Sequence, residues 1–328
     1  MTDDERKNSL DVLWSSAARY RSGKHFRKLM DACVKFRQLA PYNAMLVDMQ
    51  RPGAKYVLTE KQWHDKYQRS IKPNARPLII LVPFGPVDFV FDISDTVGNG
   101  GLFGRTDANI LDELAEPYRT RKTVDRRTLN TLMRNLRVNG IALDRGFVSG
   151  AYYAARIELL GRMMPIQIPI GADKEDMDWQ APYLLSVRKD AGDGECFASI
   201  CHELGHLLCG HLQMPYHWTE KRWETRSVGH DVEELEAESV SWLVCERLGV
   251  GNPSETYLHN FFDEGKRNGE MIRSVSIDSI LSATKYIESM LKPMTYRDGL
   301  LYKHEKEFKQ AATAKLKQKQ MHNGQGFW

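Results

Sequence analysis

A chain of 328 residues, 42% hydrophobic and 27% charged, reads as a soluble globular protein with room for one large or two ordinary domains. No apolar run approaches the roughly 20 residues that a membrane span needs, and five cysteines without framework spacing exclude a disulfide scaffold. The net charge is only +3 but uneven: residues 1–80 hold 16 Lys/Arg against 8 Asp/Glu, and the stretch 301–320 is also basic.

The first ten residues, MTDDERKNSL, are polar and acidic and carry no secretory signal. With the sparse cysteines, this leads to the expectation of a reducing, cytoplasmic setting and no membrane partner. Residues 8–40 carry Leu10, Leu13, Trp14, Ala17 and Tyr20 at helical spacing, with Gly23 as a break or kink. Residues 40–54 read as a short helix closed by a Pro-Gly turn. At 58–67 Thr59 is the expected N-cap of a helix that has Trp63 and Tyr67 on one face. Residues 76–84 form an apolar strand, and 88–93 alternate like its hairpin partner. The glycine-rich 94–105 read as a boundary.

Beyond it, 125–140 read as a helix, and 151–159, 164–170 and 181–190 as three strands. A helix follows at 195–212, then another at 231–249 that stops at Gly249 as its C′ residue. Further helices are expected at 254–266 and 275–292, each with a serine near its start. Cys196, Cys201, Cys209 and Cys245 lie in or beside these helices, form no CxxC pair, and read as small buried packing residues.

The chemistry concentrates in CHELGHLLCGH, residues 201–211. Residues four apart share a helix face, so His202 and His206 can offer two imidazole nitrogens to one ion. Glu203 sits beside them and can act as base on a water next to that ion without binding it, as in the HExxH arrangement of zinc hydrolases. Gly205 inside the helix costs about 1 kcal/mol relative to alanine, which implies that another element comes close there. A catalytic zinc needs a third protein ligand. The metzincin spacing would put a histidine at 212, and that residue is Leu212. An acid on the later helix remains: EELEAES offers Glu233, Glu234, Glu236 and Glu238, of which Glu234 and Glu238 share a face. Carboxylates on a buried helix need neutralising, which an ion and a histidine N–H can do; otherwise the run is a solvated acidic face. For the donor to a developing oxyanion, His211, Tyr216, His217 and His230 are all candidates.

HELGH followed by ELEAE resembles the ImmA/IrrE-type metallopeptidases, which are gluzincins. The resemblance implies Zn²⁺ held by His202, His206 and Glu234, Glu203 as the catalytic base, and Glu238 as the acid that supports a ligating histidine. This chain has Glu238 where Asp or Asn is common. The resemblance also implies that the strand YLLSVRKD before the metal helix binds extended peptide by β-augmentation. Residues 41–84 resemble the N-terminal domain of ArdC-type antirestriction proteins, associated with single-stranded DNA, and 236–262 resemble the ArdC metal domain. On that likeness Lys55, Lys61, Lys66, Arg69, Lys72 and Arg76 would neutralise phosphates, and Tyr42, Tyr56, Trp63 and Tyr67 would stack bases. The plain alternative makes the aromatics core and the lysines solvated. Residues 94–180 match no familiar pattern.

The expected fold is α+β: a small N-terminal α/β domain at 1–95, a linker at 96–110, a zincin-like metallopeptidase domain, mostly helical with a small sheet, at 111–300, and a basic, solubilising tail at 301–328. The expected function is zinc-dependent cleavage of a protein substrate, such as a repressor or a DNA-bound protein. The competing expectation is a single-stranded-DNA-binding antirestriction protein whose zinc site is structural or vestigial.

Overall fold

The computed structural model describes residues 23–82, 87–98, 106–119, 123–147, 154–168, 177–215, 225–252 and 271–303. The chain divides into two compact units, Met1–Lys122 with Trp242–Val275, and Thr123–Ser241 with Ser276–Trp328. Both mix helices with small sheets, an α+β arrangement. The division is not the linear one read from the sequence, because a late segment belongs with the first unit. Nor are the ends of 96–110 free linker: Thr96–Gly98 is a strand, and a helix begins at Asp107. The part of the helical stretch 8–40 that precedes Gly23, and the helix expected at 254–266, lie outside the described residues.

The first unit opens with α1 (Gly23–Lys35), which starts at the glycine expected to break the pattern and buries Phe26, Leu29, Met30 and Cys33. α2 (Pro41–Gln50) begins with proline at its first position, where the missing N–H costs nothing. The Pro-Gly turn follows, with Gly53 at φ 94°. Then come β1 (Val57–Leu58), α3 (Glu60–Tyr67), β2 (Arg69–Ile71), β3 (Leu78–Ile80), β4 (Asp88–Asp92), β5 (Thr96–Gly98) and α4 (Asp107–Arg119).

Thr59 and Gln62 form the capping box of α3: each side-chain oxygen accepts the other residue's backbone N–H, at 3.2 and 3.0 Å. β3 and β4 pair antiparallel as expected, and β4 also pairs with β1, giving the order β1-β4-β3. Two side-chain amides of α2, seven residues apart on one face, bond the main chain of β3. Asn43 exchanges bonds of 2.8 and 2.9 Å with Leu81, and Gln50 exchanges two of 2.8 Å with Ile79.

The second unit contains α5 (Arg126–Leu136, capped by Asp125), β6 (Ile141–Phe147), β7 (Ala155–Ile168), β8 (Met177–Arg188), α6 (Asp193–Leu208), the first turns of α7 (His230–Leu248), and α8 (Ile277–Met290, capped by Ser276). Its sheet has the order β6-β8-β7, with β6 parallel and β7 antiparallel to β8.

The two strands read at 151–159 and 164–170 are one strand. Its register shifts between Leu159, opposite Tyr183, and Met164, opposite Ala181. Pro182 lies between those partners and has no N–H to give, so β7 bulges out across it. β8 is therefore the central strand, with both edges paired over residues 183–186. This corrects the expectation that YLLSVRKD receives a peptide: that backbone is already in use. Among the described residues β6 and β7 are the edge strands of this sheet.

Candidate metal centre

α6 follows the sheet directly. It buries Cys196, Phe197, Ile200, Cys201, Leu204 and Leu208 and turns His202, Glu203 and His206 to the less buried side. α7 crosses it at Gly205, where a Cβ would meet the Ala237 backbone at 2.9 Å. The Ser241 hydroxyl fixes the same crossing by donating to Ala198 O at 2.9 Å. The glycine read from sequence as a point of close approach is one.

This crossing carries Glu234 to the histidines. The two Nε2 atoms are 3.1 Å apart, Glu234 Oε2 is 3.6 Å from His202 Nε2, and Glu234 Oε1 is 3.5 Å from His206 Nε2. Tetrahedral zinc with bonds of about 2.0–2.1 Å has donor–donor edges of about 3.3–3.4 Å. The separations are of that order, although Glu234 faces the two histidines with different oxygens, and the three side chains could together hold a metal ion. Glu238, one turn on, lies with Oε1 3.6 Å from His202 Nδ1. Its other oxygen is buried without a hydrogen-bond partner.

The surroundings separate the basicities of the two rings. Burial lowers both; for His202 the carboxylates of Glu238, Glu203 and Glu234 outweigh it and the pKa ends raised. His206, with burial reinforced by His202, His211 and His230, falls to about 3. Glu203 stands outside the group that could hold a metal. Its Oε2 accepts the Ile157 N–H of β7 at 2.9 Å, and burial raises its pKa to about 7 against the opposing pull of His202 and that N–H.

Behind His206 lies a network that the sequence reading did not assemble. Gly210, at φ 80°, ends α6 in a left-handed turn, and His211 N–H returns to His206 O at 2.9 Å. This folds the His211 ring under the metal helix, with Nδ1 3.0 Å from His206 Nδ1 and Nε2 2.9 Å from Glu236 Oε2. Arg226 donates to both Glu236 oxygens at 2.5 and 3.0 Å, and Ser276 N–H to Oε1 at 2.7 Å. The glycine-histidine pair just past the motif is the sequence signal that could have found it.

Cys209, His211 and Glu236 lie close enough to suggest a second ion. The bidentate guanidinium already satisfies Glu236, and full burial holds the Cys209 thiol well above its ordinary pKa, so this cluster is an arginine-carboxylate core.

Of the oxyanion candidates, His211 is consumed by this network, with its side chain 1% exposed. His230 is exposed, Nδ1 3.7 Å from Glu234 Oε1. Tyr216 and His217 lie outside the described residues.

The nucleic-acid set splits. Trp63 is wholly buried among Leu58, Ile93 and Ile110 and donates Nε1–H to Phe91 O at 2.8 Å, so it presents no face to a base. Tyr67 packs half-buried against it. Arg69 is buried as well, donating to Thr96 Oγ1 at 2.6 Å and pairing with Asp107 at 2.7 Å. These three belong to the core because the unit is small and spends its large side chains inside it. Lys55, Lys61, Lys66, Lys72 and Arg76 are exposed, with Lys72 donating to Ser94 O at 2.8 Å.

All five cysteines are buried and none is in a disulfide. No helix among the described residues is long and apolar enough to cross a membrane. Compared with family models, curated proteins and solved structures, the chain matches none.

Proposed function

We propose that the chain is a zinc-dependent metallopeptidase of the HExxH…E type, with a zincin-like second unit, acting on a protein substrate. The observation that carries this reading is the grouping of His202, His206 and Glu234, whose nitrogens and carboxylate oxygens lie 3.1 to 3.6 Å apart, beside the Glu203 carboxylate that bonds elsewhere. Bound there, zinc would supply a Lewis acid that acidifies a water and polarises a carbonyl.

The chain's own groups do the rest. Ile157 N–H fixes Glu203 Oε2, leaving Oε1 to take a proton from water and pass it to the leaving amine nitrogen. Ile157 is on the outer edge of β7, so a peptide laid along that edge by strand addition brings its carbonyl beside these three side chains. His230, exposed next to Glu234, is the described group suited to donate to the developing oxyanion.

The reading is tested by metal analysis of the purified protein, together with a search for cleaved partners in cells carrying wild type or Glu203→Gln. Protein that takes up no zinc would end it. The competing reading, a single-stranded-DNA-binding protein of antirestriction type, keeps its exposed cations and loses Trp63 and Arg69. It therefore rests on phosphate contact, and oligonucleotide binding by the full chain would weaken steeply with salt.

A further inference from the structure

The buried chain Arg226–Glu236–His211–His206 has a direction, and the direction can be worked out from the chemistry of its members. An ionised Glu236 can only accept. Its Oε1 accepts from Arg226 and Ser276, and its Oε2 from Arg226. The His211 Nε2 that faces Oε2 at 2.9 Å must therefore carry the hydrogen. The Arg226–Glu236 pair already balances its own charge, so it does not require His211 to be a cation. A neutral His211 protonated at Nε2 has its lone pair on Nδ1. That lone pair faces His206 Nδ1 at 3.0 Å, and this contact is a hydrogen bond only if His206 carries its hydrogen there. His206 Nε2 is then bare, and it faces His202 and Glu234.

We propose that His211 is a positioning residue that transmits the Glu236 carboxylate to His206 and selects the one tautomer of His206 able to bind a metal. The proposal rests on the metal reading of the His202–His206–Glu234 triangle. The more common arrangement puts a carboxylate or carbonyl directly on the ligating ring. Here a second imidazole stands between, and the left-handed turn at Gly210 makes room for it. His202 instead has the Glu238 carboxylate beside its Nδ1, at 3.6 Å. The two rings thus have different surroundings, His202 a carboxylate on α7 and His206 a relay closed by Arg226, which precedes α7.

The test measures zinc affinity of the full chain by competition with a chromogenic chelator, and ring protonation of His206 in the zinc-loaded protein by NMR of isotope-labelled histidine. Wild type should show His206 protonated at Nδ1 and His211 neutral and protonated at Nε2. His211→Phe keeps a ring and loses both nitrogens, and should bind zinc about ten- to a hundredfold more weakly. His211→Gln can accept from His206 and donate to Glu236, and should recover most of that loss, which a purely packing role would not. The inference is overturned if His211→Phe holds zinc as tightly as wild type, if His211→Gln is no better than phenylalanine, or if His211 is a cation in the loaded protein. Should His211→Phe fail to fold, the wild-type ring protonation and the glutamine variant still decide it. If wild type itself takes no zinc, the metal reading falls and this inference falls with it.

Discussion

Gly205 and Ala237 touch backbone to backbone: a Cβ on the glycine would stand 2.9 Å from the alanine Cα and 3.1 Å from its carbonyl oxygen. The contact lies between the helix that bears the two histidines and the helix that bears Glu234, one residue from His206. It sets how close the third donor comes to the other two.

Gly205→Ala would add about 1 kcal/mol to an isolated helix. In this protein the methyl meets rigid backbone, so the helices must part. The expected outcome is a lower melting temperature together with weaker zinc binding, read by thermal unfolding and chelator competition. A variant that melts higher and keeps its zinc would show that the crossing does not hold the donors.

Glu203→Gln keeps an oxygen for the Ile157 N–H and removes the proton acceptor. Zinc content and melting temperature should stay near wild type while cleavage of any identified substrate disappears. Loss of the metal would make the carboxylate structural; normal cleavage would place the base elsewhere.

His230→Ala removes an exposed ring 3.7 Å from Glu234 without touching the two histidine ligands. With a role at the oxyanion, turnover should fall by about 10²- to 10³-fold at unchanged zinc affinity. A fall in zinc affinity instead, with turnover per bound zinc intact, would assign the ring to holding Glu234.

Trp63→Ala empties a wholly buried site and should cost about 3–5 kcal/mol, measured by denaturant unfolding. A base-stacking tryptophan would behave oppositely, with oligonucleotide affinity falling and stability unchanged.

Asp92 accepts from Lys55 N, Tyr56 N, Ser94 N and Ser94 Oγ. Burial pushes its pKa up, but the hydrogen bonds of Ser94, Tyr56 and Lys55 outweigh it and leave the carboxyl below its ordinary value. A group lowered in the folded state contributes stability above its unfolded pKa of about 3.9 and loses it as pH falls through the folded value. Asp92→Asn should therefore be less stable than wild type at neutral pH, with the gap narrowing below about pH 4. A gap that stays constant on acidification would count against the carboxylate.

What could be read from the sequence is what short spacing determines. Thr59 and Gln62, three apart, are the capping box; His202 and His206, and Glu234 and Glu238, each four apart, share faces as read; Gly205 reported its own crowding. What escaped depends on distant partners. β8 became central because β6, some forty residues earlier, pairs with it in parallel, and nothing within YLLSVRKD records that. The strand read at 181–190 begins earlier, at Met177, and runs through Pro182 because the bulge the proline forces is made by β7. Trp63 has the same local pattern whether its face meets solvent or Ile93, and only the packing decides. His211 was visible as a residue, but its role needed the Gly210 turn and an arginine fifteen residues later.

The amides of Asn43 and Gln50 give and take hydrogen bonds along the flank of β3 that β4 does not use, and in doing so they impersonate a fourth strand. An open flank is a template on which a second molecule could add its own strand. These two side chains therefore act as a plug against self-association as well as a tie between α2 and the sheet. Removing both would do more than loosen the fold: it would leave the first unit with a sticky border, and the cost would appear first as concentration-dependent clumping rather than as a lower melting temperature.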